Sequence, residues 1–164
     1  MTPNQDQMQK ATPSAADSAD RVLVITRIFD APRHLVWKAW TDPAHLAQWW
    51  GPHGFTLPSC QMDLRAGGAY RFHMRGPNED DHYSQGLFRE VVEPSKLVMI
   101  GSWADAAGNP TRPGTVLTVT FEDLGGKTKL TLHQAVFESV TARDEHRGGW
   151  SGSFDKLAEY LATV

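Results

Sequence analysis

The chain has 164 residues, 40% of them hydrophobic, and a formal net charge of −3. That length suits one domain whose core needs no metal or disulfide staple, and the acidic balance excludes the basic face of a nucleic-acid binder. The lone Cys60 cannot cross-link the chain internally, and no apolar run approaches a signal-peptide core or a membrane span, so a soluble, cytoplasmic protein is expected.

Residues 1–20 are polar and rich in Ala, Ser, Asp and Gln. They are expected to form a disordered leader, with a single domain over 21–164. The run from Arg21 to Phe29 is β-branched and apolar and predicts a strand. Asp30 and Pro32 then open a helix, with Asp30 as its cap. Leu35, Val36, Ala39 and Trp40 give that helix one apolar stripe. Thr41, Asp42 and Pro43 repeat the start signal; Leu46, Trp49 and Trp50 share the second helix's face, and Gly51-Pro52 stops it.

From Phe55 to Phe137 the pattern is one of strands and hairpins. Tyr70, Phe72 and Met74 alternate with Arg71, His73 and Arg75, the mark of a half-buried strand. The same alternation places Leu117, Val119 and Phe121 on one face, and Leu130, Leu132, Gln134 and Val136 on another. Turns are expected at 66–68, 93–95 and 123–127. Gly76 to His82 and Ala104 to Gly114 are expected as exposed loops.

The C-terminal segment is helical: Trp150, Phe154, Leu157, Ala158 and Leu161 form one stripe, with Asp155, Lys156 and Glu159 turned outward. Gly148, Gly149 and Gly152 at its start admit two readings, a frayed beginning or a close crossing over the sheet. The order is therefore strand, two short helices, about six further strands, and a long helix. This is an α+β chain whose curved antiparallel sheet of six to seven strands wraps the last helix.

The chain carries no phosphate-cradling Gly-rich loop, no His-Glu-x-x-His helix and no Cys-x-x-Cys pair. Gly149 to Ser153 approaches a nucleophile elbow but lacks its last glycine and opens a helix instead of following a strand. The histidines show no paired ligand spacing, so no metal and no cofactor are expected. Glu90 and Asp63, the carboxylates nearest the sheet centre, are expected to pair with arginines rather than act as buried acids. Cys60 reads as a small buried hydrophobe.

The aromatics remain. Phe29 and Trp40 are assigned to core, whereas Trp49, Trp50, Phe55, Phe72, Trp103, Trp150 and Phe154 exceed what one closing helix needs. With the inward Met74, Leu117, Val119 and Leu132, and with Gln134 as a polar group, they are the candidate ligand pocket. Thr115, Ser102 and Tyr83 are further candidate polar groups.

Arg27 to Pro43 (RIFDAPRHLVWKAWTDP), Leu46, Trp49 to Pro52, Gly86 to Pro94 (GLFREVVEP) and the terminal Gly149-Trp150, Phe154, Leu157, Tyr160-Leu161 resemble a known family. They are similar to bacterial homologues of the heat-shock-protein-90 ATPase activator. That family lies in the START-like (SRPBCC) superfamily, with the birch-pollen allergen and polyketide cyclases. The resemblance implies a helix-grip fold with a cavity between the long helix, the end of the short helices and the long loops. It implies binding of a hydrophobic small molecule there, with a co-chaperone-like role or a cyclase- or hydrolase-type reaction as alternatives. Partners implied are that small molecule or a chaperone; separately, an exposed sheet edge offers pairing with a second copy.

Overall fold

The computed structural model describes residues 19–164. The leader expected at 1–20 lies, except for its last two residues, outside the described residues. Seven strands form one antiparallel sheet: β1 (Leu23–Phe29), β2 (Thr56–Met62), β3 (Ala69–Arg75), β4 (Asp81–Val92), β5 (Lys96–Ala104), β6 (Thr115–Asp123) and β7 (Thr128–Ala135). Their spatial order is β1-β7-β6-β5-β4-β3-β2, so β1 and β2 are the edges. The six later strands run as a meander of hairpins. β1 joins at the far side, in register from Leu23 opposite Gln134 to Phe29 opposite Thr128.

Local chemistry explains the corners. Between β6 and β7, Gly125 and Gly126 have φ of 70° and 97°, a region other residues avoid, and Asp123 accepts the Gly125 N–H at 2.9 Å. The expected loop at 76–82 is shorter than its acidic composition suggests. Asp81 and His82 already belong to β4, because Asp81 pairs with Arg75 and His82 with Met74.

Three helices accompany the sheet among the described residues: α1 (Arg33–Thr41), α2 (Pro43–Leu46) and α3 (Val140–Leu161). Asp30 does not cap α1. The cap position is Pro32, which brings no side-chain acceptor. Asp42 does cap α2, accepting the Ala44 N–H at 3.0 Å. That helix ends at Leu46, so Trp49 and Trp50 follow it instead of extending its face. Trp49 is drawn inward by its indole, which donates to the Ala39 carbonyl of α1 at 2.9 Å.

α3 begins ten residues before the Trp150 stripe, capped by Ser139, whose hydroxyl accepts the Ala142 N–H at 3.0 Å. The three glycines are thus interior helix positions, each costing about 1 kcal/mol relative to Ala. Only Gly152 marks a close crossing, and it is made with Pro52: a Cβ there would sit 3.1 Å from the proline ring. Gly148 and Gly149 face open space. Lys156 is not turned outward; its ammonium reaches the carbonyls of Phe55 (3.1 Å) and Pro52 (3.4 Å), tying the segment after α2 to α3. Burial lowers its pKa, partly offset by Glu159.

The core lies between the concave sheet face, α1 and α3. Trp37 and Trp40 pack edge-on against Phe121 at 5.4 and 6.2 Å, and Phe154 packs on Phe29 at 5.9 Å. Phe29 and Trp40 are each 2% exposed, in agreement with their assignment to core. Trp40 Nε1 is the one buried side-chain polar atom without a hydrogen bond among the described residues. Its ring sits among other aromatics, with Trp50 perpendicular to it at 5.7 Å.

Candidate functional site

One row of the sheet determines how closely the Tyr70 ring can lie against it. Directly opposed residues of an antiparallel pair share a face, and the register sets Tyr70 opposite Gly86, Gly86 opposite Gly101, and Gly101 opposite Thr115. Two adjacent strands therefore contribute no side chain at mid-row. The glycines are required by close approach: a Cβ at Gly86 would meet the Ile100 carbonyl at 2.0 Å, and one at Gly101 would meet the Tyr70 hydroxyl at 2.0 Å. The Tyr70 ring lies over this bare strip.

Beside it is a cavity of about 530 Å³, between β3–β7, α3 and the segment after α2. Trp50, Phe55, Tyr70, Met74, Met99, Trp103, Leu117, Phe137 and Trp150 form its apolar walls. Asp81, His82, Arg112, Glu138 and Glu145 also line it. Arg112 lies 3.7 Å from Glu138 and 3.9 Å from Glu145, joining the β5–β6 loop to the start of α3. That loop is held in place from the outer face, where Arg71 donates to the carbonyls of Asp105 and Ala106 and Gln85 donates to that of Gly108.

A chain of hydrogen bonds crosses the cavity wall. Trp150 Nε1 donates to Gln134 Oε1 at 2.9 Å, and Gln134 Nε2 donates to Thr115 Oγ1 at 2.8 Å. His146 is held at both ring nitrogens: Nδ1 faces the Ala142 carbonyl at 2.7 Å, and Nε2 accepts from Trp103 Nε1 at 3.0 Å. Those partners select the neutral tautomer protonated on Nδ1. The ring then holds the Trp103 indole in place and has no nitrogen free for proton transfer. Burial pushes the Tyr70 phenol up, so it remains a protonated donor.

Of the candidate pocket residues, Trp50, Phe55, Met74, Trp103, Leu117, Gln134 and Trp150 line the cavity, as do Thr115, Ser102 and Tyr83. Trp49, Phe72, Val119, Leu132 and Phe154 do not. They are 0–1% exposed and belong to the packed core beneath it. Periodicity assigns a side chain to the inner face of a strand or helix but not to a depth, and these five are deep. Tyr70, Met99, Phe137 and His146 were not singled out for the pocket from sequence. Tyr70 carried a usable signal, since it shares the inward face with Met74.

The carboxylates are elsewhere. Glu90 pairs with Lys96 at 3.3 Å and Asp63 with Arg65 at 2.8 Å, both at the surface. His73 bonds Asp81 at 2.7 Å, and together with Arg75 it holds that carboxyl below its ordinary value. No group of three or more His, Cys, Asp or Glu side chains converges on a metal geometry among the described residues. Cys60 is half-buried on β2, and burial pushes its thiol up to about 11. No helix among the described residues is long and apolar enough to cross a membrane.

Compared with known proteins, residues 30–162 match the family model described as Activator of Hsp90 ATPase homolog 1-like protein. A protein from Arthrobacter aurescens, solved by NMR, is 26% identical, with a TM-score of 0.78 over 89% of this chain and 88% of that one. The crystal structure of the AHSA1 protein from Silicibacter pomeroyi is 24% identical, with a TM-score of 0.79 over 87% of this chain and 98% of that one. A protein from Mycobacterium smegmatis is 25% identical, with a TM-score of 0.74 over 92% and 93%. No curated protein matches the chain.

Proposed function

This chain belongs to the Activator of Hsp90 ATPase homolog 1-like family and has its helix-grip fold, and on that footing we propose that it is a binding protein for a hydrophobic small molecule held between α3 and the sheet. The observation that carries the reading is the cavity: about 530 Å³, with Trp50, Trp103 and Trp150 in its walls. That volume lies within the roughly 300–1,000 Å³ typical of small-molecule sites, as does the mixture of aromatic walls and a few placed polar groups. The proposed contact residues are Trp50, Phe55, Met74, Trp103, Leu117, Gln134 and Trp150. Core tryptophans would not respond to a ligand, whereas these three stand in its path.

The test is extraction of the purified protein with organic solvent and mass spectrometry of what is released, alongside titration of tryptophan fluorescence with naphthalene-sized probes. Saturable quenching at micromolar probe supports the reading. A flat titration with nothing extracted overturns it. The family's name makes a chaperone the alternative partner. Favouring it is an exposed apolar pair on the outer face, Leu87 opposite Ile100. Recovery of a chaperone by the wild-type protein but not by Leu87→Asp would support that second reading.

A further inference from the structure

The cavity's polar groups are unequal in what they have left to offer. Gln134 and His146 are engaged on both sides by protein partners. Tyr70 differs: it is 91% buried by the converse of its 9% exposure, and among the described residues nothing hydrogen-bonds its hydroxyl. Its hydroxyl lies against Gly101, and both residues line the cavity. The Tyr70 hydroxyl is not sealed like Trp40 Nε1; it keeps access to the cavity, where its proton is available to an acceptor. Thr115, one strand further along the same row, accepts from Gln134 and likewise has its own hydroxyl proton unspent.

The charges at the cavity narrow the acceptor. Asp81 is paired with Arg75 at 3.2 Å, whereas Glu138 and Glu145 share Arg112, an excess of one negative charge (two less one). A carboxylate entering past them is repelled, while a neutral carbonyl is not.

Resting on the binding reading above, we propose that the ligand is an aromatic-sized apolar molecule bearing a neutral carbonyl oxygen, which accepts a hydrogen bond from the Tyr70 hydroxyl. The aromatic walls supply affinity that does not depend on the oxygen. Tyr70 supplies the preference for it, because replacing the carbonyl by a methylene removes the acceptor of its proton.

The experiment compares three probes of one shape, acetylnaphthalene, ethylnaphthalene and naphthoate, by tryptophan quenching on the wild type and on Tyr70→Phe. The wild type is expected to favour the ketone over the hydrocarbon about fivefold to tenfold, the range of one neutral hydrogen bond, and to bind naphthoate least. Tyr70→Phe keeps the ring and is expected to lose the ketone preference, binding acetylnaphthalene and ethylnaphthalene with equal affinity. Equal binding of ketone and hydrocarbon by the wild type overturns this inference and leaves the binding reading standing. So does a preference that survives Tyr70→Phe. Failure of all three probes to bind overturns the binding reading itself. A thermal melt of Tyr70→Phe matching the wild type confirms that the comparison is between folded proteins.

Discussion

Gly149 offers the sharpest test of the cavity, because one substitution there should raise stability and lower binding together. It occupies the interior of α3 on the stripe shared by His146, Trp150 and Ser153, all of which line the cavity, as Gly149 itself does. A Cβ added there meets nothing within 4 Å. Replacing an interior helical glycine by a good helix former gains about 0.7–1 kcal/mol from backbone entropy alone, and no neighbour has to move. For a domain of this size that is a rise in Tm of about 2–4 °C. In Gly149→Leu the four added carbons extend into the space a ligand would use. Crowding a filled site costs about 1–3 kcal/mol, which is roughly a tenfold to hundredfold loss of probe affinity. Gly148 is the internal control: it is also interior to α3 and also meets nothing within 4 Å, but it is exposed and does not line the cavity. Gly148→Leu should match the gain in Tm without the loss in binding. Differential scanning fluorimetry and fluorescence titration on the pair give both readouts. A lower Tm in Gly149→Leu, or equal affinity in the two variants, would refute the geometry.

Three further outcomes follow from the same structure. Phe154 is fully buried, against Phe29 at 5.9 Å and Trp150 at 5.7 Å; Phe154→Ala should cost about 3–5 kcal/mol in urea unfolding, and a cost below 1 kcal/mol would remove it from the core. Burial raises Cys60 to about 11 from 9.0, so the thiol should resist alkylation at neutral pH until the protein unfolds. Its folded-state pKa is the higher one, so its stabilising contribution is present below 9.0 and fades as pH rises toward 11; a Cys60→Ala variant lacking that alkaline loss checks the sign. Asp81 is held below its ordinary 3.8 by the His73 hydrogen bond first and the Arg75 hydrogen bond second. Its contribution is therefore present above 3.8 and lost as pH falls beneath it, and the stability gap between wild type and Asp81→Asn should close in acid-unfolding curves.

Much of the architecture was legible along the chain. Period-two alternation in Tyr70, Phe72 and Met74 marked an inner face, and glycine-bearing corners at 66–68 and 123–127 marked hairpins. The stripe from Trp150 to Leu161 marked the closing helix. Those signals are local: they depend on backbone geometry that a few neighbouring residues dictate. Helix boundaries were less legible. Pro32 replaced Asp30 at one cap and Ser139 set the start of α3, because caps depend on which side-chain oxygen reaches a free N–H.

What only the tertiary structure decided is the division of the inward aromatics between core and cavity. Phe72 and Tyr70 are two residues apart on one strand and face the same way. Phe72 is sealed beneath Trp50, whose ring centroid is 5.0 Å away, while Tyr70 lies against Gly101, one of two glycines paired on neighbouring strands, and lines the cavity. No window around Tyr70 contains that information, because the close approach is made by strand register between residues distant in sequence. Composition and spacing determined that this chain would curl a sheet around a helix; the pairing of two glycines across β4 and β5 determined how Tyr70 lies against the sheet at the cavity.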